Sequence, residues 1–173
     1  MRPFFQVPLK YGVIAGTIGT ALVITLYYLN RHPFLVPVQF DFRIILFSVF
    51  LFFSLKEFRD YYQNGELYFW QGIIMCFVFV ATFAVVAATL ISVFSALVPE
   101  FVTSYVRLFT EQLRTWKPED IDRIGKETFE RNLKQLPSTN TFDLALLYVG
   151  QSFGIGLFIS IILSVVLRKQ PKT

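Results

Sequence analysis

The chain has 173 residues, of which 54% are hydrophobic and 18% aromatic, and its formal net charge is +4. This length allows about one domain. The sequence contains several apolar runs of about 18 residues or more, which exclude an ordinary soluble core. Basic residues that flank membrane spans set topology and contact anionic lipid, so the positive charge does not point to a nucleic-acid partner. With one cysteine, Cys76, an intramolecular disulfide is excluded.

The hydropathy pattern predicts an all-α integral membrane protein with four transmembrane helices and an amphipathic helical insert between the third and the fourth. We treat residues 1–173 as a single membrane domain. The predicted spans are residues 11–29, 41–62, 67–98 and 142–167, and residues 99–141 form the extramembrane insert.

The first predicted span, residues 11–29, contains no charged residue. Arg2 and Lys10 precede it, as basic residues precede the core of a signal peptide. The apolar run is longer than a typical signal core, however, and YLNRHP offers no small-residue cleavage site. We therefore expect a helix that is retained in the membrane.

The second predicted span, residues 41–62, has an apolar centre that is too short to cross a bilayer alone. Asp41 is expected at its N-terminus, where a carboxylate suits the helix dipole. Arg43 is expected to extend toward the membrane interface. Pro33 and Pro37 keep the preceding linker from being helical.

Small residues recur at helical spacing in three of the spans, and close backbone approach is what drives helix association in lipid. The first span has Gly12, Gly16 and Gly19, and the fourth has Gly150 and Gly154. We expect these faces to pack within the chain. Dimerisation through one of them is the alternative.

The insert begins with an amphipathic helix whose apolar residues follow a helical period. Lys117 and Pro118 are expected to end it, and a single second helix follows, whose poorer apolar stripe is weakened by Gly125. A surface cap and a docking face for a partner protein both remain open. The stripe of the first helix consists of Val102, Tyr105, Val106, Phe109, Leu113 and Trp116.

The polar turn between the second and third spans holds most of the candidate interaction residues. Its cations suit the C-terminus of one helix and its glutamate the N-terminus of the next. The Asn-Gly pair favours a left-handed helix end, a Lys56–Asp60 pair is expected on one helical face, and Arg59 is expected near Glu66. The candidate residues in this turn are Lys56, Arg59, Asp60, Asn64, Gly65 and Glu66.

Few residues in the chain have the chemistry that catalysis requires. His32 is the only histidine, no C-x-x-C occurs, and no cofactor or metal motif is recognisable. The polar residues expected within spans include Gln71 and Gln151, which in a membrane serve most often as interhelical hydrogen-bonding groups. We expect a protein that is not an enzyme; a lipid-modifying site around Arg31, His32 and Asp41 is the weaker alternative.

Basic residues near the span ends favour cytoplasmic termini, because positive charge concentrates on the cytoplasmic side. The termini and the turn between the second and third spans lie on one side of the membrane. Close to the membrane, this side has more basic residues than the opposite side. Those counted on the side of the termini are Arg2, Lys10, Lys56, Arg59, Arg168, Lys169 and Lys172.

Three short segments resemble a domain-of-unknown-function family of small four-span bacterial membrane proteins. They are KEFRDYYQNGELYFWQG (56–72), YGVIAG (11–16) and LVPEF (97–101). The resemblance implies a bacterial inner-membrane protein and supplies no catalytic residues. We expect an accessory subunit that contacts the lipid bilayer and other membrane subunits or itself. A component of an oligomeric transporter or channel is the alternative.

Overall fold

The computed structural model describes residues 2–170, so Lys172, counted above for orientation, lies outside the described residues. A π-helical turn at Phe58–Tyr62 follows the second helix, and short 3-10 turns occupy Pro33–Leu35, Val38–Phe40 and Leu136–Ser138. The predicted all-α fold is confirmed. The α-helices are α1 (Arg2–Tyr28), α2 (Phe42–Glu57), α3 (Phe69–Leu97), α4 (Glu100–Arg114), α5 (Pro118–Ile124), α6 (Lys126–Gln135) and α7 (Thr141–Val166).

Three of these helices, α1, α3 and α7, are long and apolar enough to cross a membrane. This is compatible with a multi-pass membrane protein. The 16 residues of α2 give a helix of about 24 Å, which is shorter than a hydrocarbon core of about 30 Å. Length and composition therefore support three candidate crossings, rather than four.

Helix α3 lies between α1 and α7, and α2 packs against α1 and α7. The predicted bounds of α3 and α7 agree with the structure to within two residues, whereas α1 begins nine residues before the predicted Tyr11. Packing explains this extension, because Val7 is buried and the Phe4 ring lies 5.5 Å from that of Phe58. Such contacts come from distant parts of the chain.

The predicted glycine faces have opposite outcomes in α1 and α7. A Cβ atom added at Gly12 would lie 2.8 Å from the Thr82 Cβ, and one at Gly16 would lie 3.0 Å from the Val86 Cβ. The close packing of α1 is thus confirmed. The internal packing predicted for Gly150 and Gly154 is wrong, since a Cβ at either position meets nothing within 4 Å.

The first helix of the insert, α4, packs its apolar stripe against the 3-10 turns at Pro33–Leu35 and Leu136–Ser138 and against the end of α3. Tyr105 and Leu113 are buried, and the other four stripe residues are partly buried against the core. The predicted break at Lys117 and Pro118 is confirmed, because α4 ends at Arg114 and α5 starts at Pro118. We call the side of the molecule that carries α4–α6 the insert end, and the opposite side the terminal end.

The turn at the terminal end differs in part from its prediction. Gly65 has the expected positive φ of 85° and Asn64 one of 50°. The Lys56–Asp60 pair is absent, because Asp60 accepts from Arg59 Nε at 2.7 Å while Lys56 Nζ lies 5.9 Å from the centre of the Phe52 ring. The expected proximity of Arg59 to Glu66 across the turn fits the backbone, because the Arg59 carbonyl accepts from the N–H of Gly65, the residue before Glu66, at 2.8 Å.

The start of α3 also differs from the expectation. Glu66 is not in its first turn, because Leu67 exchanges two backbone hydrogen bonds with Lys169 and keeps this stretch extended. Tyr68 is the N-cap residue, and its backbone N–H donates to Gln71 Oε1 at 3.1 Å. Gln71 therefore caps α3.

Candidate functional site

The most deeply buried charged groups of the described chain belong to the first turn of α2. Asp41 is the N-cap residue of α2, as predicted, and accepts from Arg43 N at 2.9 Å. Its carboxylate also accepts from Arg43 Nε, at 2.9 and 3.0 Å, and from Nη2. Only 4% of the Arg43 side chain and 8% of the Asp41 side chain are exposed, so this ion pair is removed from solvent.

Helix α7 supplies the remaining partners of the Arg43 guanidinium. Nη1 donates to the Tyr148 carbonyl at 3.3 Å and to Ser152 Oγ at 3.1 Å, and Nη2 donates to Gln151 Oε1 at 2.8 Å. The guanidinium carbon also lies 4.4 Å from the centre of the Tyr148 ring, a cation–π contact. We call these five residues, Asp41, Arg43, Tyr148, Gln151 and Ser152, the Arg43 cluster.

The Arg43 cluster lies inside the bundle and nearer the insert end, since its α7 residues are about 10–17 Å from the start of that helix at 1.5 Å per residue. The Tyr148 ring is 6.2 Å from that of Phe83, and Phe47, one turn after Arg43, has its ring 4.6 Å from the same ring. Phe83 is the middle residue of α3, about 21 Å from either end at 1.5 Å per residue. A charge at this depth is rare in a membrane protein and faces the interior.

This geometry corrects the expectation that Arg43 extends to the interface. Its side chain points between α2 and α7, because Asp41 and the α7 groups together accept from every guanidinium nitrogen. An arginine has five N–H donors, so the site is closed to further acceptors as it stands. Its hydrogen bonds and ion pair hold the start of α2 against α7.

Aromatic side chains cover the cluster on the insert side. The Phe34 ring lies 5.7 Å from that of Tyr148, and His32 lies above it with its ring 5.8 Å from that of Phe34. The His32 Nε2 is 3.1 Å from the Phe101 carbonyl oxygen. Burial lowers the pKa of His32, although the hydrogen bond to Phe101 opposes this effect, so the ring is held neutral at pH 7.

An open cleft of about 770 Å³ lies at the insert end, between the C-terminus of α1 and the first two turns of α4. It contains two residues of opposite charge, Glu100 and Arg107, both exposed. The other lining residues are Tyr27, Tyr28, Asn30, His32, Thr103, Ser104 and Leu108. We call it the insert cleft.

The structure brings together some of the sequence-predicted residues and separates others. Gln151 joins the Arg43 cluster, while Gly150 and Gly154 lie on the exposed side of α7. Asp41 is bound to Arg43 and His32 to the Phe101 carbonyl, so the proposed lipid-modifying group has no common site. The residues of the 56–66 turn all lie at the terminal end.

Sequence reasoning missed the role of Arg43 and the insert cleft. The signals were present as two separate patterns, Asp41-x-Arg43 and Gln151-Ser152, each of which places polar groups in apolar surroundings. Among the described residues, no group of three or more His, Cys, Asp or Glu side chains is placed to hold a metal ion.

Searches of curated proteins and of solved structures found no match to this chain. A comparison with family models found one for residues 10–169, described as "Protein of unknown function (DUF4199)". The matched region contains the Arg43 cluster, the insert and the turn at residues 56–66. The chain belongs to the DUF4199 family of proteins of unknown function.

Proposed function

We propose that this protein is a non-enzymatic accessory subunit of a membrane protein assembly, with four spans and cytoplasmic termini, in a bacterial inner membrane. The observation that carries the proposal is the outer face of α7. Gly150 and Gly154 are exposed there one turn apart, with nothing within 4 Å of an added Cβ. A small-x-x-x-small pair permits a second helix to approach closely in lipid.

Gln151 adds a polar group beside this glycine pair. Its carbonyl accepts from Arg43 Nη2 at 2.8 Å, which leaves its two amide N–H groups for another acceptor. Gln151 is only partly buried, and in hydrocarbon an unpaired donor is costly. A helix from a partner subunit, packed on Gly150 and Gly154, is able to supply that acceptor.

The fourth span in this proposal is α2 together with its flanking turns. The π-helical turn extends α2 to Tyr62, and 3-10 turns precede it from Pro33. These turns pair their own backbone groups, with Phe40 N donating to the Pro37 carbonyl at 2.9 Å. Exposed apolar side chains at Val38 and Phe40, 62% and 79% exposed, suit contact with lipid at this depth.

Purification from native membranes in mild detergent tests the proposal. We expect the wild-type protein to co-purify with one or more defined membrane subunits. A Gly150→Leu, Gly154→Leu variant should insert and fold normally but lose that partner, because leucine side chains block close approach. A lone wild-type monomer would contradict the proposal.

Helix α1 provides a matched control for this variant. Thr17 and Ala21 are also exposed and one turn apart, so Thr17→Leu, Ala21→Leu adds similar bulk to a different outer face. We expect this control to retain the partner. Equal loss in both variants would assign the effect to general insertion or packing, and would count against the α7 face.

A component of an oligomeric transporter or channel is the second candidate. The buried charge of Arg43 between α2 and α7 favours it, because intramembrane charge often marks a conduction or relay path. Proteoliposomes tested with a panel of ions and small solutes should show flux that Gln151→Leu reduces. Absence of flux for the whole panel would eliminate this candidate.

A further inference from the structure

The insert cleft carries two charges that the fold itself does not use. Within residues 2–170, neither Glu100 nor Arg107 takes part in an ion pair. They lie on one face of α4, seven residues apart, which corresponds to about 10 Å along a helix. Thr103 and Ser104 lie between them and also line the cleft. This face of α4 therefore has a carboxylate at one end, a guanidinium at the other and two hydroxyl groups between them.

His32 gives this cleft a second polar feature. The residue is 6% exposed and lines the cleft, and its Nδ1 has no hydrogen-bond partner among the described residues. Its other ring nitrogen is bonded to the Phe101 carbonyl. Buried polar atoms are normally paired, but this nitrogen is itself shielded from solvent, so His32 forms part of the cleft wall and is not a ligand-binding group.

Exposed apolar residues lie close in sequence to the residues that line the cleft. Leu29 and Leu97 flank it in sequence at the ends of α1 and α3, and are 65% and 76% exposed. Tyr27 and Tyr28 line it, and tyrosine is enriched where the hydrocarbon meets the headgroups. A ligand seated here would have a polar part between Glu100 and Arg107 and an apolar part against the leucines.

We propose that the insert cleft binds the headgroup of an aminophospholipid, a lipid that carries both a primary ammonium and a phosphodiester. Arg107 and the two hydroxyls hold the phosphate, because guanidinium groups bind phosphate by charge-assisted hydrogen bonds. Glu100 accepts from the ammonium. The acyl chains lie along Leu29 and Leu97.

This inference rests on the membrane placement proposed above and is independent of the partner subunit. Purified protein without its partner is sufficient for the test, and the Gly150→Leu, Gly154→Leu variant should bind lipid as the wild type does. If wild-type protein has no partner but binds lipid as expected, only the proposal for the outer face of α7 fails. If it has a partner but does not bind lipid in the cleft, only the proposal for the insert cleft fails.

Native mass spectrometry of the full chain in detergent is the experiment. The protein is titrated with phosphatidylethanolamine, phosphatidylcholine and phosphatidylglycerol. We expect phosphatidylethanolamine to bind most tightly. Arg107→Gln should weaken all three lipids by about fivefold. Glu100→Gln should weaken phosphatidylethanolamine most and phosphatidylcholine less, because the quaternary ammonium keeps its charge but has no N–H to donate, and it should not weaken phosphatidylglycerol.

Two residues of the same helix serve as controls. Arg114 and Glu111 are exposed on α4 and do not line the cleft, so Arg114→Gln and Glu111→Gln should leave all affinities unchanged. Helical content measured by circular dichroism should match the wild type for all four variants, because each residue is exposed.

Three results would overturn the proposal. Equal affinities in the wild type and Arg107→Gln would leave only unspecific lipid contact. Equal weakening of phosphatidylglycerol and phosphatidylethanolamine by Glu100→Gln would exclude the ammonium site. Competition by soluble phosphoethanolamine as effective as that by the whole lipid would show that the cleft takes a soluble zwitterion.

Discussion

The two faces of α7 use similar small side chains in opposite surroundings. On the inner face, Ser152 accepts from Arg43, and a Cβ added at Gly156 would lie 2.5 Å from Val80 Cγ2. On the outer face, Gly150 and Gly154 have nothing within that reach. A single helix thus presents one closed face and one open face.

The comparison shows what a small-residue motif establishes. Gly150 and Gly154 match the G-x-x-x-G pattern, yet Gly156, which lies outside that pair, makes the close contact with α3. The motif therefore indicates a surface that a helix is able to approach, and it does not identify the helix. The inner face should govern stability, and the outer face should govern association.

The largest effect is expected when the inner face loses its charge. Arg43→Gln leaves the Asp41 carboxylate buried without its cation, which costs about 3–5 kcal/mol when one partner of a buried pair is removed. Unfolding in mixed micelles should show a fall of that size. The outer-face variant Gly150→Ala should change the unfolding free energy by less than about 1 kcal/mol, in the stabilising direction.

A double variant separates charge from packing at this site. Asp41→Asn combined with Arg43→Gln removes both charges and should recover much of the lost stability, since replacing a whole buried pair is often nearly neutral. A double variant no more stable than Arg43→Gln alone would mean that the α7 hydrogen bonds matter more than the ion pair.

The next effect compares two glycines of α7 that are two residues apart. Gly156→Ala places a methyl group against Val80 and should destabilise the protein by about 1–3 kcal/mol, as overpacking does. Gly154→Ala meets open space and should stabilise the helix by less than about 1 kcal/mol, because alanine is the better helix former.

The test is whether the change in unfolding free energy has opposite signs in the Gly154→Ala and Gly156→Ala variants. Adding Val80→Ala to Gly156→Ala should restore much of the stability, because it removes the side chain that the new methyl group meets. Destabilisation of equal size at positions 154 and 156 would mean that the two faces of α7 are not distinct.

Much of the fold could be predicted from the sequence because apolar runs report burial directly. The ends of α3 and α7 were predictable from Pro99 and from the polar residues before α7, where Asn140 caps the helix. The extension of α1 to Arg2 was not, since it depends on contacts such as Phe4 with Phe58. Local sequence carries no record of such pairings.

The Arg43 cluster was out of reach for the same reason. Asp41 was predicted as a helix start from its position, and that prediction is confirmed. Arg43 was expected at the interface because a long cation near a helix end usually extends to water. Only the position of α7, which brings Gln151 and Ser152 to the guanidinium, shows that it turns inward.

A third prediction concerns pH and the aromatic cover of the inner face. Because the pKa of His32 is lowered in the folded protein, the unfolded chain binds more protons below the ordinary histidine pKa of about 6.5. Stability should therefore fall as the pH drops through that value, by at most about 1.4 kcal/mol per pH unit. It should level off below the folded pKa.

His32 is the only histidine in the chain, so a single substitution tests this dependence. Unfolding free energies of the wild type and of His32→Phe are compared between pH 7.5 and 5.5. The phenylalanine variant should be flat over this range, because carboxylates titrate at lower pH. An unchanged slope in the variant would assign the dependence to another group.

The smallest effect is expected at the C-terminal end of α2. The ion pair there is exposed, whereas the Asp41–Arg43 pair is buried. Glu57 accepts from Lys10 at 2.8 Å and from Tyr11 at 2.7 Å, but 52% of the Lys10 side chain is exposed. Exposed pairs contribute less than about 1 kcal/mol and are screened by salt. Glu57→Gln should therefore cost less than that in low salt, and adding about 1 M salt should remove most of the difference. The ion pair at the start of α2 is buried, and the one at its end is exposed. Salt should therefore change the stability loss caused by Glu57→Gln and leave that caused by Arg43→Gln almost unaltered. The opposite result would contradict this difference between the two ends of the helix.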